Sequence, residues 1–116
     1  MGAPELWFDS SHILIGGVWR SCASGETLPL ENPSTGGTVG DIARGTAIDI
    51  DEAVAAAEAA LAGDWGRWTA AERGRAMMKM GRMVLERADD LAAIEAADVG
   101  KPLKQARADA VALARY

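Results

Sequence analysis

The chain has 116 residues, 49% hydrophobic and 25% charged, with a formal net charge of −5. That length suits one domain, which would bury roughly two-thirds of its unfolded surface, and the acidic balance excludes nucleic acid, whose phosphates call for a basic stripe. One cysteine, Cys22, excludes an internal disulfide and fits a reducing compartment; with no apolar run of membrane-spanning length and no signal-peptide pattern, the sequence reads as soluble and cytoplasmic.

In chain order, residues 1–11 carry Pro4 and paired serines and read as a flexible N-terminal arm. His12 to Arg20 predicts a β-hairpin. Ile13-Leu14-Ile15 and Val18-Trp19-Arg20 flank Gly16-Gly17, and paired glycines accept the positive φ of a two-residue primed turn. A turn at Ser24-Gly25 leads to a strand over Thr27 to Glu31. Asn32-Pro33-Ser34-Thr35-Gly36-Gly37 is dense turn chemistry, and a further strand runs from Thr38 to Ala43.

Three helices follow. The first starts at Thr46 as N-cap, has Asp49 and Asp51 near its positive end, and carries the stripe Ile50, Val54, Ala57, Leu61 before Gly63 closes it. Asp64 to Trp68 is a linker. The second and longest runs from Thr69 to Pro102. Thr69-Ala70-Ala71-Glu72 has the form of a capping box, Met77, Met80, Val84, Ala88 and Leu91 form a stripe, and Gly100 and Pro102 end it. At about 100° per residue, Glu95 and Asp98 fall back onto that stripe, where a carboxylate needs a cation, an arginine or backbone donors. The third helix begins after Pro102, with Leu103, Ala106, Ala110 and Leu113 on one face. No stop signal precedes Tyr116, so the sequence reads as truncated inside that helix.

Chemistry is scarce. A reactive thiolate needs a base or a helix N-terminus, and Cys22 sits beside a hairpin strand, so it reads as a packing residue. His12 alone makes neither a triad nor a metal site and reads as a solvent-edge residue. Gly36, Gly37 and Gly40 fail as a dinucleotide fingerprint, because Thr35 replaces the first glycine and a strand follows where a helix is required. Gly100-Lys101 fails as a P-loop, with Glu95 in place of its first glycine and Pro102 in place of its Ser/Thr. The methionines read as core filler and the tryptophans as packing anchors. The residues alone support a soluble α+β domain.

Taken as strings, four segments go further. Ile15-Gly16-Gly17-Val18-Trp19, Asn32-Pro33-Ser34-Thr35-Gly36, Thr69-Ala70-Ala71-Glu72-Arg73-Gly74-Arg75 and Asp98-Val99-Gly100-Lys101-Pro102, in that order and spacing, resemble the N-terminal part of the NAD(P)-dependent aldehyde dehydrogenases. The resemblance covers residues 12–116. Gly37, where the family usually has glutamate, and Val99, where a small polar residue is common, depart from it. The resemblance implies an α/β architecture: an N-terminal hairpin and strands, then three helices, together forming part of a cofactor-binding domain.

It implies for the complete enzyme an NAD or NADP cofactor and a cysteine that forms a thiohemiacetal with the aldehyde. Hydride transfer and hydrolysis then yield a carboxylic acid. Those catalytic residues, and the cofactor loop, are expected beyond Tyr116, so this chain should hold none of them. The implied partners are the remainder of the polypeptide, the aldehyde, and further copies in a homodimer or homotetramer. The resemblance also implies a structural Na⁺ or K⁺ held by the backbone carbonyls of Leu30 and Glu31 and the carboxylate of Asp98. The contrasting possibility is a free-standing interaction module without catalytic activity, to which the open helix at Tyr116 is poorly suited.

Overall fold

Local turn chemistry builds the N-terminal half. The computed structural model describes residues 4–116; Met1–Ala3, the tip of the expected arm, lie outside the described residues. β1 (Ile13–Ile15) and β2 (Val18–Arg20) pair antiparallel, Ile15 opposite Val18, across Gly16 and Gly17 at φ +59° and +81°. Both values lie where a side chain would be strained, so the paired glycines set this hairpin. β3 (Thr27–Glu31) pairs with β4 (Thr38–Ala43), Leu28 opposite Ile42, and the register shifts between Leu30 and Glu31. The two hairpins are separate two-stranded sheets.

The turn between β3 and β4 is held by Asn32. Its side-chain oxygen accepts from Ser34 N–H at 2.8 Å and its carbonyl from Gly36 N–H at 2.8 Å. An asparagine side chain that imitates a backbone turn in this way is the reason the residue recurs in such loops.

Five helices follow rather than three: α1 (Ala47–Ala62), α2 (Asp64–Arg67), α3 (Ala70–Glu86), α4 (Ala88–Val99) and α5 (Leu103–Leu113). α2 is one turn inside the expected linker. The expected long helix is broken at Arg87, which takes φ −112° and ψ 19° and donates its N–H to Val84 O, a 3₁₀-type contact. No glycine or proline marks that break. Asp89 and Asp90 follow it in the first turn of α4, where acidic side chains suit the positive helix end.

The N-terminus of α3 has the expected capping box, with Glu72 N–H donating to Thr69 Oγ1 at 3.3 Å and Thr69 N–H to Glu72 Oε2 at 2.7 Å. Gly100 at φ +71° caps α4, as its position in the sequence predicts.

The core is small and made of small residues. Ala88, Ala92 and Ala96 form an i, i+4, i+8 row on α4, and Ala106 and Ala110 face it from α5. Methyl groups let the two helices approach closely, but each contributes little buried area. Much of what the sequence stripes promised is not covered. Ile50, Val54 and Leu61 on α1, Met77 and Met80 on α3, and Leu103 and Leu113 on α5 are all exposed. α1 instead turns Asp49, Ala53 and Ala56 inward, towards the first hairpin.

Candidate functional site

Asp98 lies in the last turn of α4, exposed, and lines a cavity of about 280 Å³ together with Leu30, Val39, Ile42 and Ile94. The structure therefore brings Asp98 and Leu30 to one cavity. Glu31 is the next residue of β3, is exposed, and is not among the residues lining that cavity. The end of α4 also meets the turn after Glu31. A Cβ placed on Gly100 would stand 3.0 Å from Pro33 Cγ and 3.6 Å from Ser34 Oγ, so the positive φ and the close approach both require glycine there.

The register shift between Leu30 and Glu31 leaves Val39 of β4 as the unopposed residue. One feature suits a monovalent cation at this corner. The C-terminus of α4 supplies the negative end of a helix dipole beside Asp98. Among the described residues, Asp98 makes no ion pair, and no group of three His, Cys, Asp or Glu side chains gathers as a metal site. Any cation here would rely on carbonyls, as hard monovalent ions do.

Glu95 does not share that environment. The break at Arg87 resets the helix phase, so Glu95 and Asp98 no longer continue one stripe from Met77. Glu95 is half-buried and its carboxylate pairs with Lys101 Nζ, which also donates to Asp109 Oδ2 at 2.6 Å. Asp109 and Glu95 together hold the Lys101 ammonium above its ordinary pKa. Of the compensations open to Glu95, a cation, an arginine or backbone donors, the structure supplies the ammonium of Lys101.

The other candidates remain apart. Cys22 is buried, its thiol donating to Glu26 O at 3.2 Å, while His12 Nδ1 lies 2.8 Å from Asp9 Oδ2. With its own turn taking the thiol proton and the imidazole engaged elsewhere, no nucleophile–base pair forms. Gly36 caps a hairpin turn, Gly40 lies in β4 and Gly100 ends a helix, so none opens a helix toward a pyrophosphate. These three glycines therefore do not form a dinucleotide fingerprint.

One polar site was not evident from the sequence. Asp49 is 2% exposed and fully engaged. Its Oδ2 accepts from Thr46 N–H and Thr46 Oγ1 at 2.8 Å each, and its Oδ1 from Ala23 N–H at 2.9 Å and Arg20 Nη1 at 3.2 Å. The Thr46 backbone donor, ahead of burial's opposing effect, holds its carboxyl below the usual carboxylate range. The spacing Thr46-x-x-Asp49 is the available signal, a capping box with aspartate in place of glutamate. This carboxylate joins β2, the loop after it and the start of α1.

Residues 19–116 match the model of the "Aldehyde dehydrogenase family". The chain belongs to that family. It is 39% identical over 111 residues to aminoaldehyde dehydrogenase 2 of Zea mays, an alignment that covers 92% of this chain and 22% of that protein. It is 38% identical over 101 residues to a mitochondrial aldehyde dehydrogenase of Rattus norvegicus, covering 85% and 19%. The fold superposes with TM-score 0.84 on the crystal structure of an NAD-dependent aldehyde dehydrogenase from Sinorhizobium meliloti, at 40% identity, over 88% of this chain and 21% of that one. The chain thus spans about a fifth of the length of the aldehyde dehydrogenases it matches. Its strands-then-helices architecture is that of the corresponding part of these proteins. Among the described residues, no helix is long and apolar enough to cross a membrane.

Proposed function

We propose that this chain is the N-terminal, non-catalytic segment of an NAD(P)-dependent aldehyde dehydrogenase. It helps to build the cofactor-binding domain, while the nucleophilic cysteine and the cofactor loop are supplied by polypeptide beyond Tyr116. The observation that carries this reading is the state of Cys22. The only thiol in a chain of this family is buried in its own turn, with no base within hydrogen-bond reach among the described residues. Incubated with NAD or NADP and a panel of aldehydes, the 116-residue chain should leave absorbance at the reduced-nicotinamide band flat. Turnover that disappears in Cys22→Ala would overturn the reading.

The complete enzyme is proposed to be a cytoplasmic homodimer or homotetramer. The absence of any internal disulfide suits a reducing compartment, and association is what the family resemblance suggests. Fractionation that finds the enzyme in an organelle, or sedimentation at monomer mass, would overturn those two points respectively.

The segment's own contribution is proposed to include a monovalent cation, Na⁺ or K⁺, held by the carbonyls of Leu30 and Glu31 and by Asp98. Support comes from the shared cavity of Leu30 and Asp98 and from the helix C-terminus beside Asp98. Such an ion would tie the end of α4 to the end of β3. In the complete enzyme, Asp98→Ala should lower the thermal midpoint and abolish any stabilisation by K⁺ or Na⁺ over a bulky organic cation. Asp98→Asn should keep part of it, since an amide oxygen still coordinates. An unchanged midpoint for Asp98→Ala in both salts would make Asp98 an ordinary helix-end residue.

A further inference from the structure

Pro4 to Ser10 contains no strand or helix, yet its side chains are seated on three different elements. Phe8 stacks on Trp19 of β2, with ring centroids 5.7 Å apart and planes 20° from parallel. Trp7 stands edge-on to Phe8 at 5.4 Å, and the Arg87 guanidinium lies 4.8 Å over the Trp7 ring. Ser10 ties the segment to β4, its Oγ donating to Asp41 O at 2.6 Å and its carbonyl accepting from Ala43 N–H at 3.1 Å. Between these anchors, Leu6 and Phe8 roof the apolar cavity whose floor is Leu30, Ile42 and Ile94.

We propose that residues 4–10 form a releasable strap over this cavity, with Trp7 as its latch and Arg87 as the catch. Seated, the strap closes the apolar cleft between the second hairpin and α4. Displaced, it opens that cleft and leaves Asp98 on its rim. The two ends of the strap differ in how firmly they hold. At Ser10 two hydrogen bonds join it to β4, whereas at Trp7 it is held by one edge-on ring and one cation–π contact, with the indole 46% exposed. Contacts of that kind at an exposed site are weak singly, so the strap opens from the Trp7 end while Ser10 acts as the hinge.

The catch sits at the break between the two helices. Arg87 is the residue between α3 and α4, also within 3.6 Å of Asp90, and its side chain reaches back over the strap from that joint. Glu5, Leu6 and Trp7 of the strap share a shallow cleft with Arg87 and Asp90, so the charges facing the catch are the acids Glu5 and Asp90. This inference does not rest on a cation at Asp98.

The test uses the polypeptide that its own reading frame encodes. Chymotrypsin cuts after Leu6, Trp7 or Phe8, and release of the first residues is followed by mass spectrometry. A seated strap should be cut far more slowly than a synthetic peptide of residues 1–12. Arg87→Gln should speed the cut by roughly two- to fivefold, the change expected for losing an exposed contact of this class. Trp7→Tyr, which keeps a ring under the guanidinium, should retain most of the protection. Because Arg87 sits at a helix joint, Trp7→Ala is tested as well, read through cleavage after Glu5 by a glutamate-specific protease; it too should speed release, with helix content unchanged. Cleavage of the unaltered protein at the rate of the free peptide would overturn the strap. Equal rates for Arg87→Gln, Trp7→Ala and the parent would overturn the latch.

Discussion

Asp49 is the residue on which the N-terminal half turns. The sequence offers it as one of two acids near a helix start, worth a few tenths of a kcal/mol as a dipole contact. The structure makes it the joint between the first hairpin and α1, buried and bonded to Thr46, Ala23 and Arg20. Its role was not legible because nothing local says that Arg20, twenty-nine positions earlier in the chain, folds back onto it. Asp49→Ala strands two backbone donors and leaves Arg20 with the Glu52 carboxylate and the Ser21 carbonyl as partners. Loss of buried hydrogen bonds on that scale should lower the thermal midpoint by about 5 °C or more near neutral pH. The pH dependence has a definite sign. A carboxyl held below its ordinary value of 3.8 contributes stability above that value and loses it as pH falls through the lower folded value. The parent and Asp49→Ala should therefore converge in strongly acidic solution. A gap between them that stays constant down to acid pH would show that the ionised carboxylate is not what matters.

Among the elements, those with punctuation in the sequence are found where expected. Gly16-Gly17, Asn32 to Gly36, Thr69-x-x-Glu72 and Gly100 each fix a backbone conformation locally, and the hairpins, the start of α3 and the end of α4 follow. The division of the long helix at Arg87 was not legible. No glycine, proline or other breaker residue announces it, and it shows only in the Arg87 backbone, at φ −112° and ψ 19°. Faces were harder to read than elements, since an apolar stripe does not say what it packs against. Glycine inside α3 separates the two kinds of information. A Cβ on Gly81 would stand 2.6 Å from the carbonyl oxygen of Ala114, so α3 and the end of α5 touch backbone to side there. Gly74, on the same helix, has nothing within 4 Å. Alanine is a better helix former than glycine by about 1 kcal/mol. Gly74→Ala should therefore stabilise by roughly 0.5–1 kcal/mol, while Gly81→Ala should destabilise despite the same gain, because α5 has to move. Denaturant titration of both variants checks this; stabilisation by Gly81→Ala would mean that α3 and α5 are not packed as described.

At the scale of the whole molecule, the parts do not add up to a self-sufficient globule. The radius of gyration is 16.7 Å and the extents are 48 × 35 × 18 Å, against roughly 13 Å for the radius of gyration of a compact domain near this length. The buried residues are five alanines, Cys22 and Asp49 among those described, and no large side chain is fully enclosed. Two-stranded sheets are marginal alone, and here there are two of them. Ile50, Val54 and Leu61 at 53–67% exposure, with Met77, Met78, Met80 and Met83, are left open by a chain that spans about a fifth of its relatives' length, and further polypeptide is proposed to cover them. Family membership is what makes sense of stripes that the chain itself leaves open. The direct measurement is a thermal melt of the isolated 116-residue chain across a series of protein concentrations. A structural segment that needs further polypeptide should give a broad transition whose midpoint moves with concentration as exposed apolar faces associate. A sharp, cooperative melt at one temperature over the whole series, from a strict monomer, would contradict it and identify the chain as a free-standing module.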